Sequence, residues 1–190
     1  ITKRPVQVVA SAGTKVFGEN DPSLVYVANP SLLAGDSFSG VLERETGEGA
    51  GEYNILQGNL TAGVNYQINY AGAKFVITPA PVVLSLVDGD LVHGYDGSGA
   101  VVGVETDPVG VGVRVTYTGM GSTVYGPSSN APVNAGSYRV DGEAVVGNYQ
   151  GTISGDLVIT KRSLTVGNVS VLEKTYDGSV IAPLDWSGHS

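Results

Sequence analysis

Pro132-Val133-Asn134-Ala135-Gly136-Ser137-Tyr138 is turn chemistry running directly into a strand. Pro and Asn favour the turn, and Gly permits a tight entry. The Tyr ring can then fill the interior of a sheet sandwich while its hydroxyl reaches an upstream backbone group, as in a tyrosine corner. The same pattern stands 85 residues earlier as Ala50-Gly51-Glu52-Tyr53, so Gly51, Tyr53, Gly136 and Tyr138 take equivalent structural roles. Two copies of one small β fold are expected. The corner favours immunoglobulin-like β-sandwich modules in tandem, with β-grasp-like modules as the alternative.

Working outward, other landmarks recur in the same order, which marks a repeat architecture. Ile1-Thr2-Lys3-Arg4 returns as Ile159-Thr160-Lys161-Arg162, with Ile77-Thr78-Pro79 between them, giving periods of 76 and 82 residues. Asn65-Tyr66-Gln67 is answered by Asn148-Tyr149-Gln150. Lys15-Val16-Phe17-Gly18, Tyr95-Asp96-Gly97 and Tyr176-Asp177-Gly178 occupy matching places, each aromatic 16 to 18 residues after the Ile of its mark. These marks predict one module over 1–79, a second over 80–161, and the truncated start of a third over 162–190.

Composition agrees with this reading. Gly is 28 of 190 residues, Val leads the apolar set, and 10 Tyr outnumber Phe, Trp and Met together, all of which suits short strands with many turns. Strands are expected over 5–10, 24–28, 39–44, 52–56, 65–70 and 74–78, and again over 82–87, 113–117, 138–140 and 156–160. Several alternate apolar and polar residues, as Tyr66-Gln67-Ile68-Asn69-Tyr70 does. Capped helical periods are lacking, and regular short strands favour a sandwich over a parallel sheet.

A net charge of -8 with scattered Lys and Arg argues against a nucleic-acid surface, because that affinity comes from clustered cations that release counterions. The 0 Cys remove thiol chemistry and Cys-based zinc sites. No apolar run reaches the ~18 residues needed to cross a bilayer, so membrane insertion is not expected of this segment. No charged-then-apolar leader opens the chain, which places any export signal outside it.

The Tyr-Asp-Gly motifs read as turns, with Gly free to take positive φ, Asp bonding the following backbone and Tyr packing inward. Calcium would need converging oxygens, for which Glu19-Asn20-Asp21, Asp88-Gly89-Asp90 and Glu105-Thr106-Asp107 are the places to ask; none has calcium-loop spacing, so no cofactor is expected, with a structural calcium ion as the alternative. His93 and His189 form no zinc pattern. A Gly-x-Ser-x-Gly elbow is absent, and so is a phosphate loop, so an enzyme is not expected. Lys15, Lys74 and Lys174 are the candidate donors for an isopeptide crosslink.

With these landmarks assembled, the chain resembles the glycine-rich, mostly β repeat modules called MBG and YDG domains, found in very long bacterial surface adhesins of the filamentous-haemagglutinin-like kind. The first unit resembles an MBG module through Lys15 to Pro22, Gly35-Asp36-Ser37, Ala50 to Tyr53 and Asn65-Tyr66; the second resembles a YDG-type unit through Tyr95-Asp96-Gly97, Asn134 to Tyr138 and Gly147-Asn148-Tyr149. Phe17 departs from the usual Tyr, and Asp88-Gly89-Asp90 lengthens the approach to the second motif. The resemblance implies a stalk or adhesive segment, secreted by a two-partner route and held at the surface of a Gram-negative outer membrane. It carries over no catalytic residue. The alternative to a stalk is a binding module, in which exposed Tyr and the acidic loops recognise a glycan, a host or matrix protein or another copy of the chain.

Overall fold

The structure, a computed structural model, describes residues 2–165, 170–171, 173–179 and 184–185. The described residues are all-β, with one three-residue 3-10 turn at Asp88–Asp90. The helix that a β-grasp module lays across its sheet is missing from them, and two sheets instead close on each core in sandwich fashion.

In the first half the strands are β1 (Arg4–Ala10), β2 (Gly13–Val16), β3 (Tyr26–Asn29), β4 (Glu43–Arg44), β5 (Gly51–Leu56), β6 (Tyr66–Ala71) and β7 (Lys74–Thr78). They form two sheets ordered β3-β1-β6 and β2-β7-β5-β4. The second half has β8 (Ala80–Pro81), β9 (Val83–Leu86), β10 (Val92–Gly94), β11 (Val104–Asp107), β12 (Val113–Gly119), β13 (Gly136–Ala144), β14 (Tyr149–Gln150) and β15 (Thr152–Thr160). Its main sheet is ordered β10-β15-β13-β12. Beyond these, Ser170–Val171 pairs antiparallel with Leu184–Asp185; most of the expected third unit lies outside the described residues.

The ladders of the two halves correspond. Parallel β1·β6, with Arg4 opposite Tyr66, has its counterpart in parallel β8·β14, with Ala80 opposite Tyr149. Antiparallel β1·β3 answers to β9·β11. Parallel β2·β7 sets Val16 against Thr78, as β10·β15 sets Gly94 against Thr160. Antiparallel β5·β7 pairs Tyr53 with Phe75, as β13·β15 pairs Tyr138 with Leu157.

Parallel pairs arise because the opening segment of each unit divides itself between two sheets. In the first unit it passes from β1 to β2 across Ser11 and Ala12, and the returning segment crosses likewise from β6 to β7. Gly72 makes that return crossing, where a Cβ would stand 2.7 Å from the Ile55 carbonyl oxygen. In the second unit the crossing runs through the 3-10 turn at Asp88–Asp90, which accounts for the longer approach to Tyr95. β2, β8, β10, β11 and β14 fall outside the expected strands.

Alternation then fills the interiors. β1 turns Val6, Val8 and Ala10 inward and leaves Gln7 and Val9 outside, a period of two. Val6, Val8, Leu42, Ile55, Phe75 and Ile77 are the main members of one buried cluster. Tyr117, Tyr138, Val140, Leu157 and Ile159 build the other. Burying a side chain of this size contributes about 1.5–3 kcal/mol.

Candidate functional site

The two tyrosine corners share one geometry. Tyr53 donates its hydroxyl hydrogen to the Gly49 carbonyl at 2.8 Å, and Tyr138 donates to the Asn134 carbonyl at 2.6 Å. Each reaches four residues upstream, over a Gly at the strand entry. Burial pushes the Tyr138 phenol above its ordinary range, with Tyr125 beside it a smaller cause; the two rings meet edge to face at 5.5 Å. These side chains hold sheets together and leave no reactive group facing solvent.

The Tyr-Asp-Gly motifs are turns. Asp96 accepts a hydrogen bond from the Ser98 N–H at 2.7 Å, and Asp177 accepts one from the Ser179 N–H at 2.9 Å. Gly97 and Gly178 take φ of 88° and 83°, the left-handed region open to glycine. Their tyrosines depart from the inward packing expected: Tyr95 is 40% exposed and Tyr176 more so. Tyr95 follows directly on β10, and its N–H bonds to the Thr160 carbonyl at the end of that ladder. The Asn-Tyr pair diverges between halves. Tyr66 is buried, donating to Asp36 at 2.6 Å and accepting from the Leu33 N–H at 3.0 Å, whereas Tyr149 presents its ring to the first half.

The densest charge is a four-membered cluster that sequence reasoning missed, since its members are scattered from residue 15 to residue 48. The Lys15 ammonium, its side chain 3% exposed, lies 2.6 Å from Asp21 and 2.5 Å from Glu48. Arg44, with an 8% exposed side chain, donates to Asp21, Glu48 and the carbonyls of Glu45 and Gly47, so all five of its N–H donors are used. Its guanidinium lies over the rings of Tyr53 and Phe75 at 5.2 and 5.3 Å, a cation–π arrangement. Arg44, then Lys15, hold the Asp21 carboxyl down at about 2. Asp21 first, then Glu48, hold the Lys15 ammonium above its ordinary value.

Two cations thus face two anions, and the cluster satisfies itself. A general acid needs a carboxyl that is protonated near the working pH, and Asp21 is displaced the opposite way. Amide formation between Lys15 and Asp21 would need a neutral amine and a protonated acid, so the contact is an ion pair. Lys74 lies 3.9 Å from Glu52 at the surface, and Lys174 pairs with Asp177.

Among the described residues no three His, Asp or Glu side chains converge where a metal ion could sit. Carboxylates of the first two acidic triplets are otherwise engaged: Glu19 accepts from the Val16 N–H, Asp21 belongs to the cluster, and Asp90 accepts from the Gly103 N–H. Glu105 and Asp107 point outward from β11. His93 sets its ring Nε2 2.9 Å from the Asp90 carbonyl oxygen; His189 lies outside the described residues.

One further constellation joins the halves. The Asn148 side-chain carbonyl accepts the Ala50 N–H at 2.8 Å, and the Phe17 and Tyr149 rings meet edge to face at 5.4 Å. Ala80 N–H donates to the Asn148 backbone carbonyl at 2.9 Å, fixing the same turn to the strand that leaves the first half. A single residue, Pro79, separates β7 from β8.

Residues 6–76 match a family model described as MBG domain (YGX type), and residues 85–163 match one described as MBG domain. No curated protein and no solved structure matches the chain.

Proposed function

Since the chain belongs to the MBG domain family, a repeat module of surface adhesin-like proteins with no known enzymatic role, we propose that it is an extended spacer. In this reading residues 1–79 and 80–161 are successive modules of a secreted protein at a Gram-negative cell surface. They hold an adhesive region away from the cell, where it meets a host or matrix protein, a glycan or another copy of the protein.

The observation that carries the reading is the junction. Modules tied by one residue, a side-chain-to-backbone hydrogen bond and a ring contact lose the freedom that a longer Gly/Ser linker would give. Pro79 and Pro81 stiffen the connection further. Small-angle scattering of the full chain tests it: an elongated particle with a narrow size distribution is expected, and a compact or freely hinged one would overturn the reading.

A further inference from the structure

The matched ladders extend to the end of the second module. Phe17 N–H donates to the Thr78 carbonyl at 2.8 Å, and Tyr95 N–H donates to the Thr160 carbonyl at 2.9 Å. Thr78 Oγ1 reaches the Lys15 carbonyl as Thr160 Oγ1 reaches the His93 carbonyl. Gly51 lies opposite Ile77 and Gly136 opposite Ile159. Tyr95 is therefore the positional equal of Phe17, and Ala135 of Ala50.

In the first module that pair is occupied: Phe17 carries the Tyr149 ring and the Ala50 N–H carries the Asn148 side chain. In the second module the same pair is open. Tyr95 is substantially exposed, and no acceptor among the described residues meets the Ala135 N–H. Tyr95 and Ala135 border an apolar hollow of about 350 Å³ with Lys161, Arg162 and Leu164. Leu164 is 88% exposed, yet Val82, its equivalent one period earlier, is buried. An apolar hollow beside an unmet donor suits an aromatic ring that brings an amide carbonyl with it.

We propose that this hollow seats the Asn-Tyr turn of a third MBG module continuing from Lys161, in the arrangement Asn148 and Tyr149 make with Ala50 and Phe17. The occupant follows from the sequence, which opens a third copy of the repeat at residue 162. The inference deepens the spacer reading, since it makes the junction a rule that each module repeats.

The test inserts a second copy of residues 80–161 after Lys161 in the full chain, so that the added Asn148 and Tyr149 face Tyr95 and Ala135 of the original module. Amide hydrogen exchange is followed by NMR. One of the two Ala135 amides is expected to exchange roughly tenfold more slowly than Ala135 of the parent chain, protected as the Ala50 amide should be by its 2.8 Å hydrogen bond to the native Asn148. Asn148→Ala in the added copy alone should return that amide to the parent rate. Slow exchange along β13 in both copies verifies that the added module is folded. Two Ala135 amides exchanging at the parent rate would overturn the seat, while an elongated scattering profile of the parent chain would leave the spacer reading standing.

Discussion

Tyr138 and Asp21 show how differently single residues can be read. The tyrosine corner is legible because its parts are four residues apart and each has a local reason: Gly for the entry, a ring for the interior, a hydroxyl for the upstream carbonyl. Asp21 gives no such signal, because what defines it is Arg44 and Lys15, brought alongside only when the sheets close. Its carboxyl titrates at about 2 in the fold against 3.8 unperturbed. A depressed acid contributes stability that is fully present above the unperturbed value and is lost as pH falls through the folded one. Glu48 is lowered by the same two cations and adds to the same acid limb. The melting temperature of the chain should therefore hold from neutral pH to about 4 and drop between about pH 4 and pH 2. Asp21→Asn should lower it at neutral pH and flatten that drop, both read from thermal melts followed by circular dichroism. An unchanged acid limb in the variant would remove Asp21 from the explanation.

Elements were legible where alternation runs unbroken, as in β1, β5, β7 and the core of β13, since a period of two with apolar members inward needs no partner to be recognised. β2 and β10 were not. Each is four residues or fewer, sits where the motif reads as a turn, and exists only because a parallel neighbour, β7 or β15, supplies its hydrogen bonds. Sheet packing was also invisible. Gly155 lies on β15 against Leu86 of β9, and a Cβ there would stand 2.4 Å from the Leu86 Cδ1. The Leu86 terminal methyl occupies the space that a side chain at 155 would need. Gly155→Val should push Leu86 out of its position and cost about 1–3 kcal/mol, the ordinary penalty of overpacking. Urea titration can localise the loss if the two modules are followed separately, with β13 amides reporting the second and β7 amides the first. A loss confined to the first module would contradict this account of the packing.

At the scale of the whole molecule, the repeat was plain in the sequence because its marks recur in order, and Pro79 and Pro81 marked a stiff junction. The contacts across that junction were hidden inside one of the marks. Asn148-Tyr149 reads as a repeat landmark in either case, and only the folded chain brings it to Ala50 and Phe17 of the preceding module. Two small cores, each with its own buried cluster, need no contact with each other to exist. A tie between them must therefore be measured as coupling. Asn148→Ala removes the acceptor of the Ala50 N–H and should cost about 1 kcal/mol; Phe17→Ala removes an edge-to-face ring pair worth about 0.5–1.5 kcal/mol beyond its area. Each change should also broaden the distance distribution between spin labels on β3 and β12, placed through cysteines introduced into a chain that has 0 of its own. The double variant should be the broadest, because either contact alone still restrains the angle between modules, which the proline-stiffened linker must otherwise limit by itself. If the distribution kept its width in all three, Pro79 and the strand pairing at Ala80 would alone set the angle, and ring and amide would serve the stability of the junction without directing it.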